Sequence, residues 1–257
     1  MRIALVSDIH GNRWALGAVL DHVAGRRVDA IWNLGDILSG PLEPAATAEL
    51  LMPLELPTIR GNHERQLLAC ALAPGGASDQ FAFEHIEPRH RAWIEGLPAA
   101  LAPRADIAMC HGSPRSDLEP LLETVDGPGE RPARLAEIEP RLADCAARLV
   151  VCGHTHVPRV VRTPGGRTIV NPGSVGLPAY EDEHPVPTPA CPVYYVENGS
   201  PHASYAIVEE AERGWEVSFH RVTYDWEAAA QCAERNRRPE WAHALRTGFA
   251  LRVDRQA

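Results

Sequence analysis

Residues 3–12, IALVSDIHGN, carry an apolar run straight into Asp8 and His10, two metal-binding side chains separated by one residue. Apolar runs of this length bounded by Gly or Pro suit buried strands. Gly11 permits the backbone turn that would let both side chains face one site. The same grammar recurs along the chain. AIWNLGD ends in Gly35-Asp36, TIRGNHE contains Gly61-Asn62-His63, and IAMCHG ends in His111-Gly112. LVVCGHTH ends in Gly153-His154-Thr155-His156, and TIVNPGS in Asn171-Pro172-Gly173-Ser174. Any one of these fragments is common in ordinary turns. The ordered series is not, and it implies a site assembled from several strand ends, where open α/β sheets place their ligands.

The donors in that series are mixed. Asp8 and Asp36 offer carboxylates, and Asp36 could bridge two cations through its two oxygens. Asn62 offers an amide oxygen, while His10, His111, His154 and His156 offer imidazole nitrogens. Such a set suits Mn, Fe or Zn better than Ca or Cu(I). The pattern therefore predicts a metal-dependent hydrolase.

A chain of 257 residues can bury a substantial core, and 45% hydrophobic with 23% charged residues is an ordinary globular balance. A net charge of -9 argues against nucleic acid or an anionic membrane as the main partner. It does not argue against a small phosphorylated substrate, because bound cations dominate the field of their own site. None of the cysteines at 70, 110, 145, 152, 191 and 232 forms a CxxC pair, and their spacing is no disulfide framework. Strand alternation turns Cys110 and Cys152 away from the neighbouring histidines, as small buried hydrophobes. The few apolar residues before Ser7 are too short for a signal peptide, and no apolar stretch reaches membrane-spanning length. A cytoplasmic location is the expectation.

Helical spacing of Trp14, Leu16, Val19, Leu20 and Val23 predicts a helix over Arg13–Ala24 between strands near residues 3–7 and 30–34. A helix at 45–52, a strand at 58–60, and helices at 63–72 and 79–96 follow. Strands are predicted within 101–111, 148–153 and 167–171, with a helix at 134–147. The β-α-β-α-β order favours a sheet with helices on its faces. Between about 178 and 201, Pro178, Pro185, Pro187, Pro189, Pro192 and Pro201 deny helix or central strand and mark an insertion. Segments 203–209 and 215–224 read as a hairpin, Asp225 as the N-cap of a helix to about Asn236, and 241–247 as a last short helix. No linker divides the chain, so residues 1–257 are expected to form one domain, ending in this hairpin and the helices at about 203–247.

Taken together, DIHGN, GDILSGP, RGNHE, CHGSP, CGHTH and NPGSVG resemble, in order and over roughly residues 1–177, the calcineurin-like metallophosphoesterase superfamily. More narrowly, the series and the later HASYAIVE and YDWEAA segments are similar to a bacterial and archaeal phosphodiesterase-like branch linked to diadenosine tetraphosphate hydrolases. The resemblance implies a four-layer α/β/β/α sandwich of two mixed sheets flanked by helices. It implies one metal held by Asp8, His10, Asp36 and His156, and a second by Asp36, Asn62, His111 and His154. His63 matches the histidine that contacts the phosphoryl group and can protonate the leaving oxygen.

Two divalent or transition-metal ions, with Mn favoured for activity, would generate a shared hydroxide for in-line attack on phosphorus. The expected reaction is hydrolysis of a small phosphodiester or nucleotide, catalysed through His63 and Asp36, with Asn12, Asn62 and His63 as substrate contacts. Phosphomonoesters or dinucleoside polyphosphates are the alternative substrates, and a non-catalytic scaffold is the alternative class. Arg60 is a weaker candidate, for substrate or for an ion pair. The GDxxDRG of Ser/Thr protein phosphatases is absent, since Ile37-Leu38-Ser39-Gly40-Pro41 follows Asp36. The guanidinium clamp that motif would supply is therefore missing. The insertion is expected to border the cleft and restrict access to it.

Overall fold

The computed structural model describes residues 1–126, 129–182 and 193–252. Side-chain alternation along its short strands sets the layers. In Arg2–Val6, Ile3 and Leu5 face one way, Ala4 and Val6 the other, and all four are fully buried. A strand buried on both faces requires a packed layer on each side.

The N-terminal strand pairs in parallel with Ala30–Asn33 and antiparallel with Ala203–Ala211, which pairs antiparallel with Gly214–Val222. These strands form a four-stranded mixed sheet. A second, five-stranded mixed sheet runs in the order Leu101–Arg104, Ile107–Met109, Leu149–Val151, Thr168–Asn171, Arg159–Arg162. Its three middle strands are parallel to one another, and the outer two are antiparallel to their neighbours. Ile3, Leu5, Trp32, Ala206 and Trp215 from the first sheet pack against Met109, Leu149, Val151 and Val170 from the second. Outside the first sheet, Ala4, Val6 and Ile207 meet helices Arg13–Ala24, Trp226–Arg235 and Pro239–Thr247. Outside the second, Val150 and Ile169 meet Ile138 and Leu142, with Cys110 and Cys152 in the same cluster. The result is the four-layer α/β/β/α sandwich. Burial raises both thiols well above their usual range, which suits inert packing rather than ligation.

Several elements depart from the pattern expected of the sequence. Thr58–Arg60 contributes one parallel bridge, Thr58 to Asn33, because the Arg60 amide donates to Pro98 O and leaves the ladder. The helix expected over 79–96 is two, Ala77–His85 and Pro88–Glu95, since Pro88 forces Glu87 into an extended conformation. The helix expected over 134–147 is only Leu135–Arg141, closing before Ala143 at φ +48°. Asp225 caps its helix as expected, its carboxylate accepting from Ala228 N at 2.9 Å. In the insertion, Ala179–Asp182 and Tyr194–Glu197 pair as a separate two-stranded sheet that excludes the prolines. Residues 183–192, including Cys191 and most of the expected lid, lie outside the described residues. The small ladder of Glu123–Val125 with Glu130–Pro132 and the edge strand Arg159–Arg162 carried no signal read from the sequence. No helix among the described residues is long and apolar enough to cross a membrane.

Leu5, fully buried between the sheets, should cost about 2–5 kcal/mol on truncation to alanine. Phe219→Ala on the outermost strand, where the side chain is 39% exposed, should cost far less. Urea unfolding of the two variants checks the order, and equal losses would contradict this placement of the core.

Candidate metal centre

The strands end together, and the chain turns sharply at each end. Among the described residues nine non-glycine positions have positive φ, and five of them are Asp8, His10, Asp36, His154 and His156. Such conformations are strained for side chains with a Cβ and persist only where the surroundings enforce them. Backbone bonds do so here: Asp8 N donates to Gly35 O at 3.0 Å, and Ile9 N and His10 N both donate to Asp36 O. The Glu64 carboxylate, fully buried, accepts from Asp36 N, Ile37 N and Gly61 N at 2.7–2.8 Å. That clamp was not read from the sequence, although glutamate three residues beyond an N-cap is a recognisable signal.

The turns deliver two groups of potential ligand atoms into one place. Asp8, His10 and His156 form one, and Asp36, His111 and His154 the other, with the atoms of each lying within 4.8 Å of one another. His111 Nε2 is 3.0 Å from Asp36 Oδ2 and 3.9 Å from Asp8 Oδ1, so the two groups adjoin. His156 Nε2 is 3.5 Å from Asp8 Oδ1. Asn62 donates through Nδ2 to Gln66 Oε1 at 3.0 Å, which leaves its Oδ1 buried and without a partner.

The tautomers show what this arrangement requires. His10 Nδ1 donates to Ser39 O, His156 Nδ1 to Leu177 O and His111 Nδ1 to Leu34 O, each at 2.8 Å. On His10 and His156 a neutral ring with Nδ1 protonated presents a bare lone pair at Nε2, whereas on His111 burial opposes protonation but Asp36 and Asp8 outweigh it and raise the ring to about 10. Yet His10 Nε2 and His156 Nε2 face each other at 3.1 Å. Burial pushes His10 down to about 4 and His156 well below its usual range, so neither ring readily accepts a proton to relieve the repulsion. Burial raises Asp8 to about 7, and its Oδ2 is also buried without a partner. Buried acceptor atoms converging with no donor fit a cation and little else.

Backbone clearance is matched to this purpose. A Cβ on Gly61 would lie 2.2 Å from Asp36 Oδ1 and 2.8 Å from two atoms of the His111 ring. One on Gly153 would lie 2.0 Å from Ser7 Oγ and 2.9 Å from Asp8 Oδ2.

His63 stands beside the clusters rather than in them. Its side chain is 30% exposed, its ring centroid is 5.3 Å from that of His10, and its amide donates to Asp36 Oδ1 at 2.9 Å. Nδ1 lies 2.8 Å from Asp79 Oδ1 on the next helix. Burial opposes protonation of this ring, but Asp36, Asp79 and Glu64 outweigh it and raise His63 to about 9. Asp79 sits sixteen residues away across the Pro74-Gly75-Gly76 break, beyond any local motif.

Asn12, expected as a substrate contact, does not line the cleft. It is fully buried, its Oδ1 accepts from Ala15 N as a helix cap, and its Nδ2 donates to Gly176 O and Tyr224 Oη. Arg60 makes no ion pair among the described residues and does not line the cleft. Asn171 and Ser174 tie the ligand-bearing turns together: Asn171 Nδ2 donates to Gly153 O, and Ser174 Oγ donates to Asp8 O. The cleft over the clusters has a volume of about 890 Å³. Tyr180 from the insertion forms part of its wall, with its hydroxyl donating to His154 O and its ring 4.5 Å from that of His156. The insertion therefore borders the cleft at its base. Trp241, Arg238 and Tyr180 were not singled out from the sequence, because nothing local marks them as cleft residues.

The family model for the calcineurin-like phosphoesterase superfamily domain matches residues 1–189. A metallophosphoesterase from Sphaerobacter thermophilus is 30% identical, with 96% of this chain and 100% of that one covered at a TM-score of 0.72. An uncharacterized protein of Methanocaldococcus jannaschii is 26% identical over 93% of this chain and 94% of its own length. A solved structure provisionally described as a diadenosine tetraphosphatase shares the fold at 15% identity and a TM-score of 0.52, over 86% of this chain and 94% of that one.

Gly61→Ala should lower bound metal measured by mass spectrometry while the far-ultraviolet circular dichroism stays intact, because the added methyl displaces Asp36 or His111. Full metal occupancy in that variant would contradict the packing described here.

Proposed function

The chain belongs to the calcineurin-like phosphoesterase superfamily, a family of metal-dependent phosphoester hydrolases, and from that membership we infer that it cleaves a small phosphodiester or nucleotide at two metal ions. Asp8, His10 and His156 would hold one ion, His111, His154 and Asn62 the other, with Asp36 between them. The observation that carries this reading is the set of buried acceptor atoms that face one another without donors. Bound ions, with Mn favoured for activity, would make water a competent nucleophile near neutral pH and neutralise the phosphoryl oxygens.

The remaining chemistry belongs to the chain's own groups. His63 faces the cleft with Nδ1 paired to Asp79, which fixes the ring and leaves Nε2 to carry a proton toward the leaving oxygen. Asp79 is 4% exposed, so its partnership with His63 is shielded from water. Asp36 has a second task, since its Oδ1 accepts the His63 amide and so couples the position of the acid to that of the ligands. The burial of Asp36 tends to raise its pKa, but His111, His63 and His10 outweigh this and hold it well below the usual carboxylate range. It therefore stays an anion. No serine or cysteine nucleophile is needed, and no phosphoenzyme is expected.

The cleft leaves room beyond the phosphoryl group, which favours a diester or nucleotide over a minimal phosphate. A screen of Mn-loaded protein against bis-p-nitrophenyl phosphate, p-nitrophenyl phosphate, cyclic nucleotides and dinucleoside polyphosphates tests this. Turnover of none, with metal content verified, would favour a scaffold. Within an active preparation, His63→Ala should keep its metal and lose about two to four orders of magnitude in kcat. Asp36→Ala should lose metal and turnover together. Asp79→Asn should retain metal and fall between wild type and His63→Ala, and a kcat matching wild type would refute the proposed pairing.

A further inference from the structure

Most of the wall of the 890 Å³ cleft lies away from the candidate ligands, and its charge is lopsided. Asp79, Glu181, Asp182 and Glu240 place carboxylates along it, whereas Arg238 is the one arginine or lysine among the described residues that line it. The sequence contains no lysine anywhere, so apart from histidine every basic side chain is a guanidinium.

Arg238 immediately precedes helix Pro239–Thr247 and is held in place. Its Nη2 donates to Ser78 Oγ at 3.2 Å, its Nε donates to Glu240, and its Cζ lies 5.8 Å from the centroid of the Trp241 ring. The side chain is 22% exposed, so its charge is only partly screened by solvent. Nη1 donates no hydrogen bond among the described residues. Trp241, 7% exposed, meets His10 edge-on with 6.1 Å between ring centroids. Two adjoining side chains thus connect a candidate metal ligand to the guanidinium along one wall.

We propose that Arg238 and Trp241 form a second anion subsite, which binds a phosphate carried by the leaving group of the ester. The subsite rests on the phosphoesterase reading and narrows it. Its substrates are esters with a further phosphate on the far side of a sugar or aromatic spacer, in preference to simple diesters. A guanidinium fork matches phosphate oxygens bidentately, and an aromatic wall suits a ring-bearing spacer. Away from the histidines at the metal end, the other charged side chains along the wall are carboxylates. Glu240 shares the guanidinium and competes with the incoming phosphate, which moderates affinity.

Calorimetric titration of metal-loaded protein with adenosine 3′,5′-bisphosphate and with adenosine 5′-monophosphate reads the subsite as a ratio of dissociation constants. Wild type should prefer the bisphosphate, and Arg238→Met should cut that preference by about tenfold or more. Arg238→Lys should keep part of it, and Glu240→Gln should increase it. An unchanged ratio in an Arg238→Met protein with wild-type melting temperature overturns the subsite and leaves the hydrolase reading untouched. Should Arg238→Met melt early, the ratio in Glu240→Gln decides, and no increase there overturns the subsite. Turnover of none of the screened esters by metal-replete wild type would count against the hydrolase reading instead, while the ratio would still judge Arg238.

Discussion

Burying carboxylates and imidazoles within contact of one another costs several kcal/mol per uncompensated charge, unless positive charge is supplied from outside the chain. The ends of the two sheets impose that situation on Asp8, His10, Asp36, His111 and His156, with His154 half-buried beside them. Each backbone carbonyl that takes an Nδ1 proton from a neutral ring aims a lone pair inward, as Ser39 and Leu177 do for His10 and His156. The protein alone is electrostatically unfinished at this point. Its affinity for cations follows from that deficit.

The same constraint explains where the backbone is strained and where side chains are missing. Left-handed conformations at five of the converging residues hold donor atoms at angles a regular strand could not offer. The strain is borne by a rigid surround: Glu64 gathers three amides, Asn171 ties two turns of the second sheet, Ser174 reaches across to the Asp8 turn of the first, and Tyr180 props the His154 turn. Gly61 and Gly153 keep clear the space that the ligand atoms occupy. Precision at the centre is thus a property of its supporting contacts as much as of the ligands.

Much of this was legible in the sequence, for identifiable reasons. Apolar runs ending in polar clusters announce strand ends, and DIHGN, GD, GNH, CHG and GHTH placed the converging residues because each motif is local. The alternation that turned Cys110 and Cys152 outward followed from strand geometry alone. Asn12 beside a ligand motif reads as a substrate contact, while its capping role depends on the helix that follows. Asp79, Arg238 and Trp241 were invisible for the opposite reason: they reach the cleft only through tertiary packing. The single helix expected over 79–96 failed at Pro88, whose effect on Glu87 outweighed the apolar spacing around it.

The N-terminal strand is sandwiched between Ala30–Asn33 and Ala203–Ala211, and Trp241 rests against His10. Segments some two hundred positions apart must therefore meet before the first sheet is complete. Pairings of such sequence separation are slow to form, because loop closure precedes any reward. During synthesis the early motifs would emerge from the ribosome long before their late partners. The cleft gains its final wall only once residues 238–251 have been translated, so a nascent chain carries its ligands without a finished pocket to use them in.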